Sequence, residues 1–205
     1  MQSYSAQVSE NAYVGIRLDA QAIRVLAHPL RSRLLSRLRT NGPATATDLA
    51  AALTTNTGAT SYHLRKLESV GLVIDTGEGE GKRRLWRAST DFHSWTNSAF
   101  RDDEDAATAL EWLQRDYVRQ LAEKTERWLD AAPSWPAEWV DVFGLNDTFV
   151  HVTPEQMREL NARLNALLAE YRSIGDGDPR ARRASVYIVA RPMDPDVVPG
   201  VEADR

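Results

Sequence analysis

The chain of 205 residues contains no cysteine, which excludes disulfide bonds, thiolate metal sites and a cysteine nucleophile. It has no apolar run of about 18 residues, the length that a membrane-spanning helix needs. Its first ten residues, MQSYSAQVSE, have neither a basic start nor an apolar stretch, so they do not resemble a secretory signal. We therefore expect a cytoplasmic protein without a membrane partner.

Sequence signatures of catalysis are also absent. There is no glycine-rich phosphate loop, no G-x-S-x-G elbow, no pair of histidines four residues apart and no convincing pair of carboxylates. His63 is interpreted as a packed or phosphate-bonded side chain, and His28 as the residue that enters a helix. We expect a protein that is not an enzyme and that has no catalytic residues, no cofactor and no metal site.

Positive and negative charges are distributed unevenly along the chain. Residues 1–90 hold 12 Lys and Arg against 7 Asp and Glu, whereas residues 91–205 hold 13 against 22. The net charge of −4 therefore combines a basic front half with an acidic back half. Such an asymmetry indicates two parts with separate tasks.

The front half predicts a series of short helices. Asp19 can cap the first, which ends at His28 because the residue before a proline avoids helical geometry. Pro29 suits the first turn of a second helix, LRSRLLSRLRT, whose leucines recur at helical spacing. TATDLAAALT predicts a third helix with Thr47 as its cap. The arginines of the second helix form either a solvated face or phosphate contacts.

The stretch NTGATSYHLRKLESVGLV, residues 56–73, predicts a helix with two dissimilar faces. Leu64 and Leu67 form an inward face, and hydroxyl-bearing and basic residues occupy the other. With the helix before it and the tight TTNTG connection, this stretch forms a helix-turn-helix whose second helix would enter the major groove. Hydroxyl, amide and guanidinium groups are suited to base edges and phosphates. The residues of this stretch that we expect to contact DNA are Asn56, Thr57, Thr60, Ser61, Tyr62, Arg65 and Lys66.

After Gly71 the apolar period changes to two, so LVIDTGEGEGKRRLWRAS predicts a strand, a glycine-rich tip and a returning strand. A hairpin beside a recognition helix is a wing, which we place near residues 77–87 and which can lie along phosphates or in the minor groove. Glu78 and Glu80 reduce the positive charge of its tip. The basic residues that we expect to contact DNA from this hairpin are Lys82, Arg83 and Arg84.

Three motifs between about residues 20 and 90 resemble the ArsR-type winged helix-turn-helix of bacterial transcription regulators. They are L-x-H-P-x-R at residues 26–31, T-D-L-A at residues 47–50, and S-Y-H-L-R-K-L-E-S-V-G-L-V at residues 61–73, which runs into the basic hairpin. The resemblance implies a homodimer that binds an inverted repeat in a promoter, usually as a repressor. Many relatives sense metals through cysteines or terminal His/Asp clusters, and the absence of cysteine argues against that property here.

A long helix is predicted from about Asp105, where apolar residues recur at steps of three and four, and Pro133 and Pro136 end it. Dimerisation through this helix, the first helix or both would place two DNA-binding heads about one DNA turn apart. A simple core helix is the alternative. Four tryptophans could line an apolar ligand pocket or belong to the core: Trp112, Trp128, Trp135 and Trp139.

The remainder of the chain predicts a small α+β unit. Alternating apolar residues predict strands within residues 139–153 and 184–192. Between them, a capping box of Thr153 and Gln156 opens an amphipathic helix. The proline- and acid-rich tail, residues 193–205, is expected to be disordered.

The predicted fold class is therefore α+β, mainly helical, with an N-terminal winged helix-turn-helix domain and a small α+β dimerisation or effector domain. The predicted divisions are an extension at residues 1–18, the DNA-binding domain at 19–91, the second domain at 92–192 and the tail. We expect a dimeric, sequence-specific transcription regulator that binds double-stranded DNA, with a small-molecule effector as an option for the second domain. The alternatives are a winged-helix module that binds another protein, and a small-molecule-binding protein whose activity lies in the second domain.

Overall fold

The computed structural model describes residues 15–79, 81 and 83–200 of the chain. Contacts among them divide the chain after Asp147 into two compact units. The first unit contains β1 (Gly15–Arg17), α1 (Ala20–Leu26), α2 (Pro29–Asn41), β2 (Ala44–Thr45), α3 (Ala46–Ala52), α4 (Thr57–Glu68), β3 (Val73–Asp75), β4 (Leu85–Ala88), β5 (Phe92–Ser94), α5 (Glu104–Ala131) and α6 (Ala137–Val140). The second unit contains α7 (Pro154–Tyr171). No helix in these described ranges combines the length and the apolar character that crossing a bilayer requires.

Each of the first four helices begins at a residue whose side chain accepts a hydrogen bond from the backbone of the first turn. The acceptors are Asp19 Oδ1 for α1 at 2.8 Å, His28 Nδ1 for α2 at 3.1 Å, Thr45 Oγ1 for α3 at 3.2 Å and Asn56 Oδ1 for α4 at 2.7 Å. The prediction that Thr47 caps α3 was wrong. Thr45 takes that position because Asp48 completes a capping box by accepting from the Thr45 N–H at 3.2 Å.

A three-stranded antiparallel sheet in the order β2–β4–β3 contains the predicted hairpin. Strands β3 and β4 pair with Val73 opposite Ala88 and Asp75 opposite Trp86. The Trp86 ring is buried in the core, so the sheet is fastened to the helices from its central strand. A second, parallel pair joins β1 to β5. We did not predict this pair, because three-residue strands from distant parts of the chain leave no local pattern.

One hydrophobic core joins α1, α2, α4 and the first half of α5. Removing apolar side chains from water is the main favourable contribution to folding, so these residues hold the first unit together. Its apolar members with 0% exposure are Ile23, Leu26, Leu34, Leu64, Leu67, Leu72, Val73, Ala106 and Leu113. Helix α5 packs along α1 and therefore belongs to the same folded unit as the helix-turn-helix.

A polar seam lies between α2 and α5. Ser32 Oγ donates to Asp116 Oδ2 at 2.7 Å, and Gln120 Nε2 lies 2.7 Å from each of these two oxygens. One turn further along α5, Lys124 Nζ donates to Ser36 Oγ at 3.2 Å. Asp116 is only 6% exposed, so its carboxylate depends on Ser32, Gln120 and Arg119 to replace the water that it has lost; Arg119 Nη2 lies 3.3 Å from Oδ1. The seam therefore fixes how α5 lies along α2.

The second part of the chain differs from the predicted α+β domain. The predicted helix α7 is confirmed, and Thr153 and Gln156 form its capping box. The strands predicted within 139–153 and 184–192 were wrong: residues 137–140 form the short helix α6, and residues 184–192 have no regular secondary structure. Alternating apolar residues form a strand only where a partner accepts their backbone hydrogen bonds, and the described residues supply no such partner here.

The structure describes only parts of the predicted N-terminal extension and of the predicted tail. Residues 1–14 of the predicted extension and residues 201–205 of the predicted tail lie outside the described residues. Residues 193–200 contain no helix or strand. The separation of tasks between residues 19–91 and 92–192 stays a prediction.

Replacing Asp116 by alanine should destabilise the protein, because Ser32 and Gln120 would lose a buried acceptor. We expect a loss of about 1–3 kcal/mol in the free energy of unfolding, measured by urea titration of the full chain. Glu111→Ala is the matched control on the same helix, since Glu111 is exposed and its ion pair within the described part of the chain is with Arg115 in the next turn. Equal effects of the two substitutions would contradict a structural role for the seam.

Candidate nucleic-acid interface

Helices α3 and α4 form the helix-turn-helix, and residues 53–56 connect them. Thr54 in this turn has a φ of 51°, in the left-handed region that a threonine rarely adopts. Helix α4 then turns Leu64 and Leu67 into the core, where both are fully buried. Leu49 of α3 is buried in the same core. The leucines therefore determine which side of α4 faces outwards.

The opposite side of α4 presents the predicted DNA-binding face. Four residues on it are exposed and Ser61 is half-buried; the four are Thr57, Tyr62, Arg65 and Lys66. Tyr62 is 52% exposed, and Lys66 Nζ lies 5.8 Å from the centre of its ring. The structure thus brings these five predicted residues together on the outer side of one helix. The group combines hydroxyl donors with two cations, which suits a surface of bases and phosphates.

Two other residues that we predicted to contact DNA, Thr60 and Asn56, form hydrogen bonds within the first turn of α4. Thr60 is fully buried, and its Oγ1 donates to the Asn56 carbonyl at 3.0 Å. The prediction that Thr60 contacts DNA is corrected, because the helical period places it on the same inward side as Leu64 and Leu67. Asn56 is exposed, but its Oδ1 accepts from the Ala59 N–H as the cap of α4. Its amide nitrogen is the group that could donate to DNA.

The tip of the hairpin has a constrained backbone. Gly77 and Gly81 have φ values of 75° and 63°, which favour glycine. A Cβ atom on Gly79 would lie 1.8 Å from the carbonyl oxygen of Arg83, so a larger residue does not fit. The Arg83 side chain is exposed close to this tip. Lys82, which we also predicted to contact DNA, lies outside the described residues.

The Arg84 side chain interacts with two carboxylates and an aromatic ring of the protein itself. Its guanidinium lies 3.3 Å from Asp75 Oδ2 and 3.9 Å from Glu68 Oε2, and it stacks 5.6 Å from the centre of the Trp86 ring. Two carboxylates offset its positive charge. Arg84 therefore links α4 to the hairpin, and its contact with DNA stays a prediction because its side chain is exposed.

The Arg39 side chain of α2 forms hydrogen bonds with residues near β5. It donates to the Thr90 carbonyl at 3.0 Å, and its Nη1 lies 2.6 Å from His93 Nδ1. Burial, and after it the charge of Arg39, lowers the pKa of His93 to about 3, so this imidazole is neutral. The Tyr117 hydroxyl lies 2.6 Å from the other ring nitrogen. Sequence analysis missed this group, because its members are far apart in the chain and form no motif.

Comparison with known proteins places a helix-turn-helix at this site. Residues 26–76 match the family model described as "Helix-turn-helix domain". Over 60 residues the chain is 42% identical to the HTH-type transcriptional regulator NmtR of Mycobacterium tuberculosis (strain ATCC 25618 / H37Rv), a match that covers 29% of this chain and 49% of that protein. The chain thus spans about half the length of this curated relative. The resemblance to ArsR-type helix-turn-helix proteins is confirmed for the matched segment.

Replacing Thr60 by asparagine tests the orientation of α4. A larger polar side chain at this buried position should lower the free energy of unfolding by about 1–3 kcal/mol. Ser61→Asn is the matched control, because the neighbouring position is half-buried on the outer side and should tolerate the same change with little effect. Urea unfolding of both variants gives the comparison, and a larger loss for Ser61→Asn would show that α4 is rotated from the orientation described.

Proposed function

We propose that the chain is a dimeric, sequence-specific DNA-binding regulator of transcription that acts in the cytoplasm and is not an enzyme. In this proposal α4 enters the major groove, and the hairpin near residues 77–87 acts as a wing along the phosphates. The observation that carries the proposal is the two-sided character of α4. Its leucines are fully buried, while its outer side carries hydroxyls, a half-exposed phenol and two exposed cations. The match to a helix-turn-helix domain supports the same conclusion.

The proposed contacts divide into those that provide affinity and those that provide specificity. Arg83 is exposed beside the hairpin tip and would pair with phosphates, a contact that every DNA sequence offers. Ser61 and Arg65 lie on the outer side of α4, where they would meet base edges. Thr57, Tyr62 and Lys66 would contact the groove wall or the phosphates beside them. Arg84 would also act indirectly, through the position of the hairpin.

A homodimer that binds an inverted repeat is the second part of the proposal. Val118 and Leu129 are 66% and 55% exposed on α5. Covering such apolar side chains with a second copy would remove them from water, which favours association. Two copies would then offer two α4 helices to half-sites about ten base pairs apart. A dimer bound within a promoter would obstruct transcription, so we propose that it is a repressor.

A small-molecule effector is a further proposal, and an aromatic cluster favours it. Trp128 of α5 meets Trp135 edge to face with ring centres 5.3 Å apart, and Phe143 stacks on Trp139 at 5.6 Å. Aromatic side chains commonly line ligand sites. Trp112, which we grouped with these tryptophans from the sequence, lies instead beneath Arg119, whose guanidinium carbon is 5.9 Å from its ring centre. Quenching of tryptophan fluorescence by candidate ligands would identify an effector at the cluster.

The first test is selection of bound sequences from random duplex DNA by the full chain. We expect enrichment of an inverted repeat with half-sites about ten base pairs apart, because two symmetry-related α4 helices must reach the same side of the duplex. Failure to enrich any sequence, together with binding that disappears at moderate salt, would contradict sequence-specific recognition. It would favour the alternative of a winged-helix module that binds another protein.

Substitutions on the hairpin and on α4 should have different effects on binding. Arg83→Ala should weaken binding to all sequences and reduce the slope of log affinity against log salt by about one unit. Ser61→Ala and Arg65→Ala should mainly narrow the difference in affinity between the selected site and random DNA. Arg84→Ala is the matched control for Arg83→Ala and should change the salt slope less, since its charge is already paired. Titrations at two or more salt concentrations measure all four variants. An equal loss on every sequence for Arg83→Ala, Ser61→Ala and Arg65→Ala would contradict the division of roles.

A further inference from the structure

Two histidines and an arginine meet where the start of α2 touches α4. The rings of His28 and His63 lie 4.4 Å apart between centres, and Arg31 Nη1 lies 3.4 Å from His63 Nδ1. The Arg31 Nε also donates a hydrogen bond to the Val25 carbonyl, at the end of α1. On the outer side, the Tyr62 ring meets the His63 ring edge to face at 5.1 Å. The cluster therefore connects the loop before α2 to the proposed DNA-binding face of α4.

The hydrogen bonds determine which nitrogen of each ring carries the proton. The Leu30 N–H can only donate, so His28 Nδ1 must be an unprotonated acceptor where it caps α2. Arginine also has only donors, so His63 Nδ1 must be an acceptor as well. Both rings are thus neutral with the proton on Nε2. Adding a proton at Nδ1 would remove the cap of α2 in one case and the contact with Arg31 in the other.

The surroundings of the two rings disfavour positive charge. The titratable and charged groups in contact with the cluster are Arg31 from α2 and Tyr62 from α4, with Lys66 beyond the tyrosine ring. Within the part of the chain that the structure describes, none of these contacts is with a carboxylate. A cation at His28 would also lie at the N-terminus of α2, where the helix dipole is unfavourable to positive charge. Burial and then the charge of Arg31 lower the pKa of His28, and burial followed by His28 and Arg31 lowers the pKa of His63.

We propose that His28, Arg31 and His63 form a proton-sensitive clamp that positions Tyr62 and the outer face of α4, so that acidification opens the clamp and weakens sequence-specific DNA binding. The inference rests on the proposed function. The expected change of DNA affinity with pH is opposite to that caused by histidines that approach phosphates, because such residues bind DNA more tightly when they become charged. His28, Arg31 and His63 act here as positioning residues, and Tyr62 is the contact that they orient.

The pH range follows from the direction of the two pKa shifts. A histidine whose pKa is lower in the closed clamp than in the open one binds more protons when the clamp is open. The closed clamp is therefore favoured at a pH above the ordinary histidine pKa of about 6.5, and it loses stability as the pH falls below that value. The chain contains four histidines. His93 is held neutral by a pKa of about 3 and does not titrate in this range. His151 is exposed in the second unit and provides a control position.

The test measures the affinity of the full chain for its selected DNA site between about pH 7.5 and 5.5 at constant ionic strength. Each proton linked to the clamp can change affinity by up to about tenfold per pH unit, so we expect at least roughly threefold weaker binding at the lower pH. The double variant His28→Asn with His63→Gln keeps neutral acceptors at both positions, since asparagine is a good helix cap, and should lose this dependence. His151→Gln is the matched control and should keep it.

A second variant imitates the protonated ring. His63→Lys places a permanent cation beside Arg31 and should reduce specific affinity at about pH 7.5, while circular dichroism checks that the chain remains folded. Binding that strengthens on acidification, or that weakens equally in the wild type and in the double variant, would overturn the clamp and leave the proposed function standing. Absence of sequence-specific binding by the wild type at about pH 7.5 would overturn the proposed function itself, and the inference with it.

Discussion

The burial of Leu64 and Leu67 is the constraint on which the rest of the candidate site depends. Because both side chains are fully enclosed by the core, α4 has one rotational setting, and the outer side is whatever remains. Thr57, Ser61 and Arg65 are presented together for this reason. Turning the helix by one position would bury a charged side chain and expose a leucine, and both changes are unfavourable. The chemistry of the surface is thus a consequence of the packing beneath it.

Polar interactions then set how neighbouring elements are aligned on this core. The buried carboxylate of Asp116 ties α5 to α2 through Ser32, and Arg84 ties the hairpin to α4 through Glu68. Apolar packing alone tolerates small shifts between helices, whereas a buried carboxylate has to keep specific donors. The alignment of α5 with α2 therefore depends on defined hydrogen bonds as well as on apolar packing.

Much of the first unit could be predicted from the sequence because its signals are local. Helix caps, helical periodicity and the glycine-rich tip are properties of neighbouring residues, and they predicted α1 to α4, α5 and the hairpin. The candidate site was predicted less completely. Thr60 looked like a surface hydroxyl until the core showed its side of the helix, and Arg84 looked like a free cation until Glu68 and Asp75 were placed beside it. Composition identifies a polar residue, but only packing shows which partner it has.

By itself, then, the sequence determined that there is a helix-turn-helix with a basic outer face, since three- and four-residue spacing and capping residues specify helices without help from distant parts of the chain. Only the tertiary structure decided which polar groups remain available, which histidines are neutral and which alternating segments find no strand partner. Those properties depend on residues such as Arg31 and His63, or Ser32 and Asp116, that lie 32 and 84 positions apart. Their meeting is a result of the whole core and is not encoded in any local pattern.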